Sequence, residues 1–193
     1  MAETEEGRKF EKIALDYLKQ NNLPEAESNF IQALTHMKQS GDEEGQAYVL
    51  GNLGNLCFQS RRLDKAQEYY GKALTYMEKV NDLRGIESSL GNLGSVLFYK
   101  GSLDEAEETY KKALKFLEDA NDSEGQSIYN ENLGNVYLKK EDLAKAEDYF
   151  NRAKTLLDSE KNKDRVKEVE DKLDSLQKHP KYLEGRKESY SRN

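Results

Sequence analysis

The chain has 193 residues, 35% charged and 36% apolar, with a formal net charge of −7 and a mean hydropathy of −0.98. An acidic balance repels phosphate backbones and argues against nucleic-acid binding, and no run approaches the roughly 20 apolar residues of a membrane-spanning helix. A single cysteine excludes an internal disulfide and a Cys-rich metal site.

The first residues, Met1 to Glu6, lack the basic and apolar segments of a secretory signal, so a cytoplasmic location is expected. From there the chain repeats itself. Asn-Leu-Gly occurs at 52–54, 92–94 and 132–134, a spacing of 40 each time, and Lys12-Ile13-Ala14 fills the same register in the first copy. Other columns keep step: Leu23, Leu63, Leu103 and Leu143; Ala26, Ala66, Ala106 and Ala146; Phe30, Tyr70, Tyr110 and Phe150. The copies cover about 7–40, 47–80, 87–120 and 127–160.

Each copy reads as two helices of about 17 residues. In the second copy Leu50, Leu53, Gly54 and Cys57 share one helical face, and Leu63, Ala66, Tyr70, Ala73 and Met77 share another. Asp42, Asp82 and Asp122 stand where the first helix of a copy needs an N-cap; Asn22, Ser102 and Asp142 stand before the second helix, where Arg62 caps poorly. The alanine columns let backbones approach while Leu, Tyr and Phe fill the spaces beside them. One hairpin cannot bury its face alone, so copies stack into a solenoid. Residues 162–179 form one more helix with Val166, Val169, Leu173 and Leu176 on one face, a C-terminal cap that Pro180 ends. The solenoid thus spans 1–179, and the polar segment 180–193 reads as a disordered tail.

The Leu-Gly pair of the first helix, with the Ala, the Phe or Tyr and the second Ala of the second helix, resembles the tetratricopeptide repeat. The terminal proline of the 34-residue form is replaced by Lys38, Glu78, Glu118 and Asp158. The longer repeat, its Asn-Leu-Gly and its Asp-x-x-Gly link resemble the 40-residue type of Pins/LGN adaptors and kinesin light chains. The resemblance covers about residues 7–160. It implies an all-α fold, a right-handed α-solenoid of four helical hairpins plus the capping helix.

Charge separates the two helices of a repeat. The first helix of the second copy is uncharged from Gly45 to Ser60, and that of the third from Ser88 to Tyr99. The second helices are charged outside their apolar stripe, so the first helices are expected on the inner side. Half a turn from the packed face lie Tyr48, Gly51, Asn52, Asn55, Phe58 and Gln59, then Ser88, Gly91, Asn92, Ser95, Phe98 and Tyr99. A merely solvated face would carry Lys and Glu. An amide both donates and accepts, so Asn52, Asn92 and Asn132, with Asn55 and Asn135, could form a ladder for the backbone of an extended peptide. In the resembling families asparagines of this column contact peptides. Phe58, Phe98 and Tyr99 would supply apolar contacts and Lys139 a charge at one end. Two readings stand beside this one: the ladder links adjacent first helices, or Phe58 and Phe98 belong to the inter-repeat core. Glu11 and Leu15 fall where a carboxylate clamp would want Lys and Asn, so no such clamp is expected.

Chemistry for catalysis is thin. Cys57 shares a buried column with Tyr17, Leu97 and Tyr137, and His36 falls in an apolar column; without an orienting third group they make no catalytic pair. No phosphate loop and no metal-ligand set occurs, and no cofactor is implied. The expected function is a non-enzymatic adaptor that binds a partner protein or peptide in a concave groove. The alternatives are a self-assembling homo-oligomeric scaffold and a regulatory module of a signalling protein.

Overall fold

A computed structural model describes residues 2–157 and 161–183. Nine α-helices of 14 or more residues occur among the described residues: α1 (Ala2–Lys19), α2 (Leu23–Ser40), α3 (Glu43–Gln59), α4 (Leu63–Lys79), α5 (Leu83–Lys100), α6 (Leu103–Asp119), α7 (Ser123–Lys139), α8 (Leu143–Leu156) and α9 (Lys163–Gln177). They group into two compact units divided between Ser102 and Leu103, inside the third repeat.

The turns repeat more finely than the sequence pattern shows. Every 20 residues one residue takes the left-handed conformation: Asn21, Gly41, Arg61, Asn81, Gly101, Asn121 and Glu141. The next residue's N–H then donates to the carbonyl five positions back, as from Asp42 to Met37 (2.9 Å) and from Asp142 to Tyr137 (3.0 Å). This six-to-one bond closes the helix end and reverses the chain. Asp42, Asp82 and Asp122 then open the next helix by accepting from the backbone N–H of Gly45 (2.8 Å), Gly85 (3.0 Å) and Gly125 (2.9 Å). Asp142 caps α8 in the same way through Lys145 N–H at 3.2 Å. Asn22, expected as a cap of α2, makes no side-chain cap bond; Asn21 before it carries the left-handed turn instead.

In the first unit α1 packs on α2, α2 on α3, α3 on α4 and α4 on α5, and α3 also touches α5 directly. Ala14, Ala26, Phe30, Ala33, Met37, Val49, Leu53 and Leu56 form one buried cluster, and Cys57, Ala66, Tyr70 and Val96 the next. The small columns have a steric cause. A Cβ on Gly54 would stand 2.6 Å from the Tyr70 ring, and one on Gly134 2.6 Å from the Phe150 ring. Arg62, a poor cap, instead grips Glu27 through both guanidinium ends at 2.8 and 2.9 Å, tying α4 back to α2.

In the second unit α7 packs on α6 and α8, and α9 packs on α8. Val169, Leu173 and Leu176 of α9 are buried with Tyr137, Leu143, Phe150 and Leu157, and Val166 packs partly buried against them. Asn130, the polar residue in an apolar column, is buried and donates to the Gln126 carbonyl at 2.8 Å. The helix expected at 162–179 keeps the repeat's register: Asn162, Leu173 and Leu176 fall 40 residues after Asp122, Leu133 and Val136. It is therefore the first helix of a fifth copy as well as a cover. Residues 180–183 are helical, and Tyr182 enters the α8–α9 core, so the expected disordered segment does not begin at Pro180. Its remainder, 184–193, lies outside the described residues.

Candidate functional site

Within the first unit, α3 and α5 run side by side and present the uncharged face read from the sequence. Between them opens a cavity of about 270 Å³, with Tyr48, Gly51, Asn52 and Asn55 on one wall and Ser88, Ser89 and Asn92 on the other. Tyr70 and Met77 of α4 close its back, and Asp82, Arg84 and Gly85 its rim. Gly51 shapes it: a Cβ there would meet no atom within 4 Å, so its absence serves open space rather than packing.

The polar groups differ in how they are engaged. Tyr48 Oη donates to Asp82 Oδ2 at 2.8 Å, bridging α3 to the cap of α5. The backbone bond from Gly85 and then this phenol hold the Asp82 carboxyl below its ordinary range, and the same bond to Asp82 raises the phenol. Asn55 Oδ1 accepts from Tyr70 Oη at 2.7 Å, so this amide half-serves the fold. Burial pushes the Tyr70 phenol well above its usual value, so it stays a donor at any ordinary pH. Asn52 and Asn92 are partly exposed, and among the described residues neither makes a side-chain hydrogen bond. They are not a ladder that links α3 to α5. Ser95 Oγ is turned to its own helix, donating to the Gly91 carbonyl at 3.0 Å.

The aromatic residues gather at the C-terminal ends of α3 and α5. Phe58 and Phe98 each meet Tyr99 edge-on, at 5.5 and 5.7 Å between centroids, and Arg61 lies 5.5 Å from the Tyr99 centroid. Phe58 also packs against the Cys57 cluster, as the inter-repeat alternative anticipates. Tyr99 is half exposed and Gln59 exposed. In the second unit Asn132 and Asn135 are partly exposed on α7, and Lys139 is exposed at its end. They do not line the first unit's cavity.

Sequence reasoning missed two contributors, Asp82 and Arg84, because they lie in the α5 cap and first turn, outside the uncharged stretch. The tyrosine at 48, placed 34 residues before a capping aspartate, was the available signal.

Other chemistry is dispersed. Cys57 is buried, and burial pushes its thiol up, away from the thiolate a nucleophile needs. His36 stacks on Phe10 at 5.4 Å, and its Nδ1 meets Glu3 at 2.7 Å. Among the described residues no hydrogen bond links His36 to Cys57; the partners of His36 are Glu3 and Phe10. Among the described residues no group of three or more His, Cys, Asp or Glu is placed to hold a metal ion, and no helix is long and apolar enough to cross a membrane.

Known proteins share this architecture. BtubC (BKLC) from P. vanneervenii superposes with a TM-score of 0.72 and 25% identity, over 78% of this chain and 62% of that one. The apo form of RapI gives 0.82 at 16% identity, over 89% and 63%. A STAND signal-transduction ATPase with a tetratricopeptide repeat sensor, from Pyrococcus horikoshii, gives 0.80 at 17%, over 86% and 26%. The chain thus spans less than two thirds of each of these neighbours, and the last two show the fold alone. No curated protein matches it significantly. The tetratricopeptide repeat profile matches residues 6–79 and 85–159, and each match spans two of the 40-residue copies. With hairpins, caps and small-residue columns all in that register, the chain belongs to the tetratricopeptide repeat family.

Proposed function

We propose that the protein is a non-enzymatic adaptor that holds an extended partner segment along the inner helices. Tetratricopeptide repeats generally serve protein–protein interaction. The observation that carries the reading is the cavity between α3 and α5, walled by Tyr48, Asn52, Ser88 and Asn92, whose Asn52 and Asn92 amides are unengaged. A free amide in a partly dry groove offers a donor and an acceptor to a peptide group, and an extended segment presents both. Gly51 leaves room for the backbone to come close. Asn132 and Asn135 would serve in the same way on α7, with Lys139 beyond them. Phe58, Phe98 and Tyr99, flanked by Gln59 and Ser95, would take apolar side chains.

The test is affinity capture followed by titration of the captured segments. Asn52→Ala/Asn92→Ala, and the triple variant with Asn132→Ala, should keep the helical signal and lose about tenfold or more in affinity, since buried hydrogen bonds to a ligand go unmade. Partners retained at equal affinity by the triple variant would remove the groove as the site.

A further inference from the structure

The face that is uncharged on α3 and α5 reappears on α9 with different chemistry. Counting 40 residues at a time, Asn52, Asn92 and Asn132 lead to Lys172, and Asn55 leads to Ser175. Phe58 and Phe98 lead to Leu138. These residues meet in the second unit, where α9, with Leu138 from α7, lines an open cavity of about 550 Å³, twice that between α3 and α5. Leu176 forms its floor and Leu138, 38% exposed, its apolar side.

The charges around it are not balanced. Lys172 Nζ is held by Glu131, which also takes Arg165 at 3.4 Å, so this trio keeps one positive charge against the two carboxylates of Glu168 and Asp171 and the rim is net negative. Glu168 and Asp171 line the same cavity, are exposed, and have no ion-pair partner among the described residues. His179 stands at the far end. A hollow with an apolar side and a net negative rim, where Glu168 and Asp171 make no ion pair among the described residues, suits a bulky apolar side chain flanked by basic ones: burial supplies affinity and the carboxylates supply selection.

We propose that α7 and α9 form a second, chemically distinct docking site, which accepts a partner segment carrying an aromatic or leucine side chain next to lysine or arginine. The proposal rests on the adaptor reading, but it concerns other residues. In it the last helix is a working wall of the groove as well as a cover for the core.

The probe is a fluorescent heptapeptide, Gly-Lys-Lys-Phe-Lys-Lys-Gly, titrated against the full chain beside versions with Phe replaced by Ala or all Lys replaced by Glu. The basic phenylalanine peptide should bind about tenfold more tightly than either counterpart. Leu138→Ala and Glu168→Gln/Asp171→Asn, all at exposed positions, should each weaken it at least about fivefold with unchanged helical signal. Asn52→Ala/Asn92→Ala should leave it unchanged. Equal binding of the three peptides, or no effect of the α7 and α9 variants, overturns the proposal. If the asparagine pair abolishes binding, the peptide sits between α3 and α5 and the second site falls while the adaptor reading stands. If binding appears only in a chain ending at Leu183, the occupant is the protein's own C-terminal segment, and the partner assignment is wrong.

Discussion

Glycines of one chain do opposite things here, and their surroundings say which. Gly54 sits under the Tyr70 ring, where a Cβ would come within 2.6 Å, so Gly54→Ala must push the ring out and destabilise the hairpin. Gly51 is three residues away and faces open space. Gly51→Ala should therefore stabilise the protein by about 1 kcal/mol, the helix-propensity difference, while weakening any ligand that approaches the α3 backbone. Gly71, also open, lines no part of the α3–α5 cavity. Gly71→Ala should stabilise the protein by a similar amount, read as a higher melting temperature, without touching affinity. If both variants leave binding intact, Gly51 is not there for a ligand. The sequence placed Gly54 on the packed face and Gly51 half a turn away, on the uncharged one. Which neighbour stood over each was a matter of α4, and no spacing within α3 reveals it.

At the scale of the element, one carboxylate of α6 ties that helix to α7 and the turn after it. Glu107 of α6 accepts from Tyr137 Oη of α7 (2.5 Å), from Lys140 beyond α7 (2.5 Å) and from Lys111 of its own helix (2.5 Å). The Tyr137 ring stacks on Tyr149 of α8 at 5.3 Å. Burial alone would push Glu107 up, but the bonds from Lys111, Lys140 and Tyr137 outweigh it and hold the carboxyl at about 2. Its folded-state value lies below the ordinary 4.5, so the network's stability is fully present above that pH and is lost as pH falls from about 4.5 through about 2. Glu107→Gln should lower stability at pH 7 on the order of 2 kcal/mol and flatten the acid limb of the unfolding curve. An unchanged acid limb would show that the network is too solvated to matter. In the sequence Glu107 and Lys111 are only two of the charges that the second helices carry outside their apolar stripe. The ties to Tyr137 and Lys140 span 30 and 33 residues and exist only because α6 and α7 pack.

At the scale of the whole molecule, α9 closes the second unit's core. Leu173 is 7% exposed among Phe150, Leu157, Val169 and Tyr182. Leu173→Ala should cost about 2–5 kcal/mol, transfer plus cavity, and lower the melting temperature by thermal denaturation. A loss under about 1 kcal/mol would mean that α9 lies on the unit without sealing it. The helix was legible as a cap from Val166, Val169, Leu173 and Leu176. Its place in the 40-residue register was not, because charge in the groove columns hid the match.

What the sequence determined by itself is the architecture. Period, cap and small-residue column are local or strictly repeated constraints, so Asp42, Asp82 and Asp122 could be placed without coordinates. Tertiary structure decided which amides were left unengaged. Asn52, Asn55 and Asn92 are the same residue type on the same kind of face, yet Asn55 is taken by Tyr70 and the other two are not. That difference depends on side chains arriving from a neighbouring helix. A periodic pattern records which way a residue points and carries no trace of what meets it there.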